Sequence, residues 1–221
     1  MKKIILTVLV LFTVTLSSNA QFKPGTTSLQ PKIGIGVANL TGMEDLPVTT
    51  YTNLDKMLGA AALMGLELEY QIQEKIGIAF GLNYALQGCA WENYRMNDVK
   101  YKNPRIETEY VNIPIVFNYY YNKGWALKAG IQLGFLTNAH FKIRSEEKYM
   151  EKDATTDLSL DLKDEFESFD VSIPFGISYE SDKHWVFDAR YHLGLTKVNK
   201  NGSTDSKNGV FMITAGYKFE L

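Results

Sequence analysis

The sequence has a single cysteine, Cys89, so no intramolecular disulfide can form and cysteine usage leaves the redox compartment open. It has no excess of positive charge, since 23 Lys and Arg stand against 25 Asp and Glu for a formal net charge of −2. Nucleic acid is therefore set aside as a partner, because phosphate binding calls for a basic surface. No Cys/His cluster has zinc spacing, and no EF-hand loop or nucleophile elbow occurs, so neither metal nor cofactor is expected. Long apolar runs are missing too. A membrane-spanning helix needs about 20 apolar residues, and the stretch from Ile4 to Leu16 is too short for one.

That stretch follows Lys2 and Lys3 and precedes Ser18-Asn19-Ala20, the order of a secretory signal peptide over residues 1–20. Gln21 stands where a lipoprotein would carry cysteine. The mature chain is expected to begin there, with a short N-terminal segment over 21–30 and one folded domain over 31–221. Losing Lys2 and Lys3 takes the formal charge from −2 to −4.

What the chain has is aromatic residues, 13 Tyr and 12 Phe among them, set in strict alternation. Ile76, Ile78, Phe80, Leu82, Tyr84 and Leu86 fall on one face of an extended strand, with Gly77, Ala79, Gly81, Asn83, Ala85 and Gln87 on the other. Seven further segments repeat this period, beginning near Ile33, Leu66, Val111, Leu127, Val171, Trp185 and Phe211. The connections alternate in length. Gln73 to Lys75, Tyr121 to Gly124 and Glu180 to Lys183 are tight turns, whereas residues 40–59, 88–106, 139–166 and 197–208 read as long polar loops. Leu158, Leu160 and Leu162 alternate within the third loop, so part of it is expected to extend the barrel as a hairpin.

Polarity separates two kinds of barrel. A soluble barrel of the lipocalin type keeps bulk inside and charge outside. Here the small and polar face would make a poor core, and the apolar face would present water with a continuous band. The reading is therefore an all-β, eight-stranded antiparallel up-and-down transmembrane β-barrel, with short periplasmic turns and long extracellular loops. Tyr70, Tyr119, Trp125, Tyr179 and Trp185 lie on the apolar face beside the short turns, as a periplasmic aromatic girdle. Thr214, Gly216, Phe219 and Leu221 end the chain in the manner of a barrel assembly signal. Pro114 and Pro174 each remove a ladder donor, so a bulge or local widening is expected at both.

Tyr110-Val-Asn-Ile-Pro-Ile115, Lys128-Ala-Gly-Ile-Gln-Leu-Gly134 and Asp188-Ala-Arg-Tyr-His-Leu-Gly-Leu195 resemble the PorT-like outer-membrane β-barrel family over almost the whole mature chain. The resemblance implies an eight-stranded outer-membrane barrel in the cell envelope of a Gram-negative bacterium. Some members of that family take part in protein secretion across the outer membrane, which makes a secretion accessory the alternative function.

The inward face carries Lys32, Glu67, Glu69, Lys128, Asp170, Asp188, Arg190 and Lys218, with Glu180 and Glu220 beside them. An eight-stranded lumen is only wide enough for its own side chains, so these charges should pair and plug it. Arg190 is the expected hub, because a planar guanidinium serves two carboxylates at once, with Asp188 two residues away and Glu67, Glu69, Asp170 or Glu180 as further partners. His192 shares that face with Asp188, and Ser172 and Ser178 lie on the adjacent strand. A lipid-modifying enzyme using His192 is thus the weaker alternative. His140 and His184 read as loop and turn residues. The expected role is structural or surface-interacting and non-enzymatic. The expected partners are outer-membrane lipid, the barrel assembly machinery during biogenesis, and a protein at the extracellular loops.

Overall fold

The computed structural model describes residues 23–42, 54–97, 99–149, 152–201 and 205–221. The leader lies outside them. Among the described residues eleven strands run in chain order: β1 (Thr27–Thr41), β2 (Lys56–Gln73), β3 (Ile76–Trp91), β4 (Tyr94–Met96), β5 (Val99–Asn122), β6 (Trp125–Tyr149), β7 (Lys152–Asp161), β8 (Phe169–Glu180), β9 (Trp185–Gly194), β10 (Lys207–Tyr217) and β11 (Phe219–Glu220). β1 begins at Thr27, within the segment expected to precede the barrel.

Eight positions form a closed antiparallel ring. β1 pairs with β2, β2 with β3, β3 with β5, β5 with β6, β6 with β8, β8 with β9, and β9 with β10. β10 and β11 together return to β1 in one register. Closure leaves no open edge within the ring, which is the condition for spanning hydrocarbon with strands. The three short turns lie where the sequence puts them. Gly124 adopts φ 76°, and His184 adopts φ 60°. A Cβ at Gly124 would also run into the Glu180 carbonyl, so that turn takes glycine on two counts.

Alternation sorts the side chains by environment. Ile33 and Ile35 on β1 are 68% and 75% exposed, and Phe80, Leu82, Leu127, Ile131, Phe187 and Ile213 also point outward. The neighbours between them are buried or half-buried and mostly small or polar. In water such a band would be far larger than soluble monomers tolerate. In lipid it is the surface that the surroundings require.

The strands depart from expectation in two places. At Pro114 and Pro174 the expected bulge or local widening takes the second form, with no bulge. The β3–β5 pairing stops at Phe80↔Ile115 and resumes at Asn83↔Asn112 in unchanged register. The β6–β8 pairing likewise skips from Ala129↔Phe175 to Gln132↔Ser172. Each proline opens a two-residue gap in one ladder, because it lacks a donor, while the ladder on its other side continues.

The second departure concerns the loops. β5 has 24 residues and β6 has 25, whereas about 9–11 cross a bilayer. Much of what reads as loop is strand, and His140 belongs to β6. β4 adds to the outer end of β5, and β7 adds to β6 from His140↔Asp161 to Tyr149↔Lys152. The order β4-β5-β6-β7 is a sheet standing above the ring. β7 includes Leu158 and Leu160 but ends before Leu162.

Candidate functional site

The lumen is built from the inward positions of all the ring strands, and its charged groups fall into tiers. In the middle tier Lys32 Nζ lies 2.5 Å from Glu67 Oε2. Arg190 Nη2 donates to Glu67 Oε2 at 3.1 Å, while its Nε and Nη2 reach Asp188 Oδ2 at 2.9 and 2.8 Å. Lys128 Nζ stands 3.0 Å from Asp188 and 3.6 Å from Glu67. Arg190 therefore ties β9 to β2 across the barrel axis. Gly65 and Gly216 sit opposite Lys32 on the two flanking strands. A Cβ at Gly216 would come within 3.0 Å of the Lys32 Cβ, so the glycine makes room for the lysine stem.

The tier beneath, beside the short turns, centres on Lys218. Its Nζ lies 2.8 Å from Glu69, 2.9 Å from Glu180 and 2.9 Å from the Tyr120 hydroxyl. Tyr120 donates to Glu69 at 2.5 Å, and His184 Nδ1 is 3.0 Å from Glu180. Three cations face two carboxylates in the middle tier and one cation faces two in the lower, so each tier offsets the imbalance of the other. Asp170 stands apart, accepting from Thr196 Oγ1 at 2.6 Å and Asn208 Nδ2 at 3.0 Å.

All eight lumen residues named from the sequence are buried. Seven of them join the two ion-paired tiers; Asp170 does not, and Arg190 takes Glu67 and Asp188 rather than Glu69, Asp170 or Glu180. Glu220 is a correction, since it is exposed on β11 where alternation suggested the lumen. The break between β10 and β11 at Lys218 accounts for the change of phase. Of the girdle, Tyr70, Tyr119 and Trp185 are exposed and Trp125 and Tyr179 half-buried, the last two in ring contact at 4.9 Å. His192 is buried with no hydrogen-bond partner at Nδ1, and Asp188 is engaged by Arg190 and Lys128. A Ser-His-Asp relay is not assembled there.

Sequence reasoning missed an apolar core at the extracellular end. Leu40, Trp91, Ile106, Tyr110, Phe141 and Phe166 are its large buried members, with Cys89, Leu136, Ala139, Ile143 and Val198 between them. The bridge Phe166↔Asn199 draws two connections together over it. Its origin is clearest in β6. Leu127, Ala129, Ile131, Leu133 and Phe135 face outward, but Ala139, Phe141 and Ile143, in the same odd series, are buried. Between them the β5–β6 register shifts from Tyr110↔Leu136 to Glu109↔Asn138, so Thr137 is an extra residue, a β-bulge. Its hydroxyl donates to the Glu109 carbonyl at 3.1 Å. In β5 the polarity changes instead, with Ile106 and Tyr110 inward and Glu107 and Glu109 outward.

The outer face of this sheet is correspondingly charged. Arg105 and Lys142 share Glu107 at 2.6 and 2.5 Å, Lys102 meets Glu146 at 2.6 Å, and Arg144 meets Asp157 at 2.7 Å. Cys89 lies on the inner side, and burial pushes its thiol up to about 12. A membrane-impermeant maleimide is therefore expected to leave Cys89 unmodified at neutral pH in the folded protein and to modify it fully after denaturation. Rapid labelling of the folded barrel would contradict the dry core.

A family model described as outer membrane protein beta-barrel domain matches residues 19–200. No curated protein sequence matches the chain. Among solved structures the chain is similar to Ail, the attachment invasion locus protein of Yersinia pestis, at 13% identity and TM-score 0.40, covering 89% of this chain and 99% of Ail. It is also similar to Neisserial surface protein A at 13% identity and TM-score 0.43, over 87% and 97% of the two chains. OprG from Pseudomonas aeruginosa is 14% identical with TM-score 0.41, over 91% and 99%.

Proposed function

Because the chain belongs to the outer membrane protein β-barrel domain family, we propose that it is a non-enzymatic envelope protein, delivered behind a cleaved leader, that acts at the cell surface through the sheet β4–β7. The observation that carries this reading is where the chain spends its length. Strands β5 and β6 continue far beyond what a bilayer needs and hold a charged outer face above an apolar core. Beyond a small cavity beside Gln132 and His192, the described part of the lumen is occupied by side chains. Its charges are taken up by one another, and the apolar cluster lies over them. We read it as closed to ions.

The test replaces the hairpin Lys142–Ser159 by a two-residue turn. The shortened barrel is expected to keep its heat-modifiable migration on gels and to reproduce whatever envelope defect a deletion strain shows. A shortened form that restores the wild-type phenotype would place the function elsewhere. Purified protein in planar bilayers should give no discrete conductance steps, and such steps would end the closed-lumen reading. If the role is secretion, the shared defect is loss of exported proteins. If it is lipid modification, His192→Ala alone alters the lipid profile.

A further inference from the structure

The lipid-facing band is not uniform. Where β2, β1, β10 and β9 pass side by side near the short turns, an open apolar groove of about 500 Å3 crosses the outer wall. Pro31 and Ala215 present little side chain there, while Met64 and Leu66 rise on one side and Trp185 and Tyr217 on the other. The register explains the depression. Ile33 pairs with Met64 and with Ala215, and Pro31 pairs with Leu66, so the small residues Pro31 and Ala215 are diagonal neighbours on the outer face, with Ile33 beside Ala215. The same place is a gap in the seam between first and last strands. β1 pairs with β10 down to Lys32↔Gly216 and resumes with β11 at Leu29↔Phe219, leaving Pro31, which has no N–H, opposite the break.

We infer that this groove is a seat for one acyl chain of a glycerophospholipid from the periplasmic leaflet. Its position selects the occupant. The groove starts at Trp185 and Tyr217, whose rings meet edge to face at 5.4 Å at headgroup level, and runs into the apolar band. Its lining is almost wholly apolar, so nothing there would hold a polar solute. A chain lying in it touches three sides instead of one. In lipid there is no water to expel, and selection between neighbours rests on such packing contacts. This seat is separate from the surface sheet and does not depend on the role given to it.

Trp185 lines the groove, and Trp125 stands at the same depth on β6, two strands round the ring with β8 between and outside the groove lining, so the two make a matched pair of reporters. The protein carrying Trp91→Phe and Trp125→Phe keeps only Trp185; the one carrying Trp91→Phe and Trp185→Phe keeps only Trp125. Each is folded into vesicles of phosphatidylcholine mixed with increasing amounts of its chain-brominated form. With a brominated guest lipid of shorter or longer chain, quenching at Trp185 is expected to show a roughly fivefold preference over the Trp125 site, the scale of a few extra packing contacts. Ala215→Phe, which fills the floor, and Leu66→Ala, which lowers a wall, should each erase the preference while leaving heat-modifiable migration intact. Identical quenching curves from the two reporters would overturn the seat. So would a Trp185 that brominated lipid does not reach in a barrel that cross-links as a dimer, since a second copy would then be the occupant.

Discussion

Arg190→Met should lower the stability of the barrel by about 3–5 kcal/mol, the range for removing one partner from a buried charge cluster. The guanidinium bridges Glu67 and Asp188, and methionine fills similar space without a donor. Both carboxylates would then depend on Lys32 and Lys128 alone. The penalty comes from leaving charge buried without its counterpart, so restoring balance should return part of it. Neutralising one carboxylate, as in Arg190→Met with Glu67→Gln, returns the two tiers to a net charge of zero and is expected to be less damaging than the sum of its parts. Arg190→Lys should fall between, because an ammonium cannot serve both carboxylates in a planar fork. Urea unfolding in lipid vesicles, followed by tryptophan emission, supplies the numbers. A change in Arg190→Met within about 0.5 kcal/mol, the spread of ordinary surface substitutions, would show that the network carries little.

Deleting Thr137 should do comparable harm at the other end of the molecule. Without the bulge the outer part of β6 turns over, which brings Phe141 and Ile143 to the solvent face and Lys142 and Arg144 inward. Exposure of Phe141 alone is worth about 3–5 kcal/mol on the scale of large core truncations. The expected result is a barrel whose membrane strands persist while β7 and the outer half of β6 become sensitive to protease. Cysteine accessibility tests the phase directly. At normal length Lys142→Cys should label and Ile143→Cys should be protected, and the deletion should exchange them. Unchanged labelling would mean that the bulge can move along the strand without consequence.

These two predictions also mark what a sequence can and cannot convey about such a fold. Ring strands, short turns and the list of lumen charges are legible, because lipid on one side and a narrow interior on the other impose a two-residue period on every strand. The partner of Arg190 is not legible, since Glu67 is 123 positions away and reaches it only through the closed register of the ring. The apolar core was hidden for two different reasons. In β6 the odd-numbered apolar series runs on from Leu127 to Ile143 with nothing in its composition to show that one extra residue has turned the later part inward. In β5 the series changes parity between Ile106 and Val111, so a strand that continues through the boundary resembles a loop. At the prolines the sequence leaves bulge and widening equally open, and loss of a donor opens a gap without forcing a register shift.

The bulge at Thr137 also works as a ruler. On β6 it fixes the height at which the apolar outer surface stops, independently of how many apolar residues the strand contains. Moving it by two residues in either direction would lengthen or shorten the hydrophobic belt there with almost no change in composition. A lineage could thereby match this wall of the barrel to a thicker or thinner membrane by sliding one residue, rather than by rebuilding the strand.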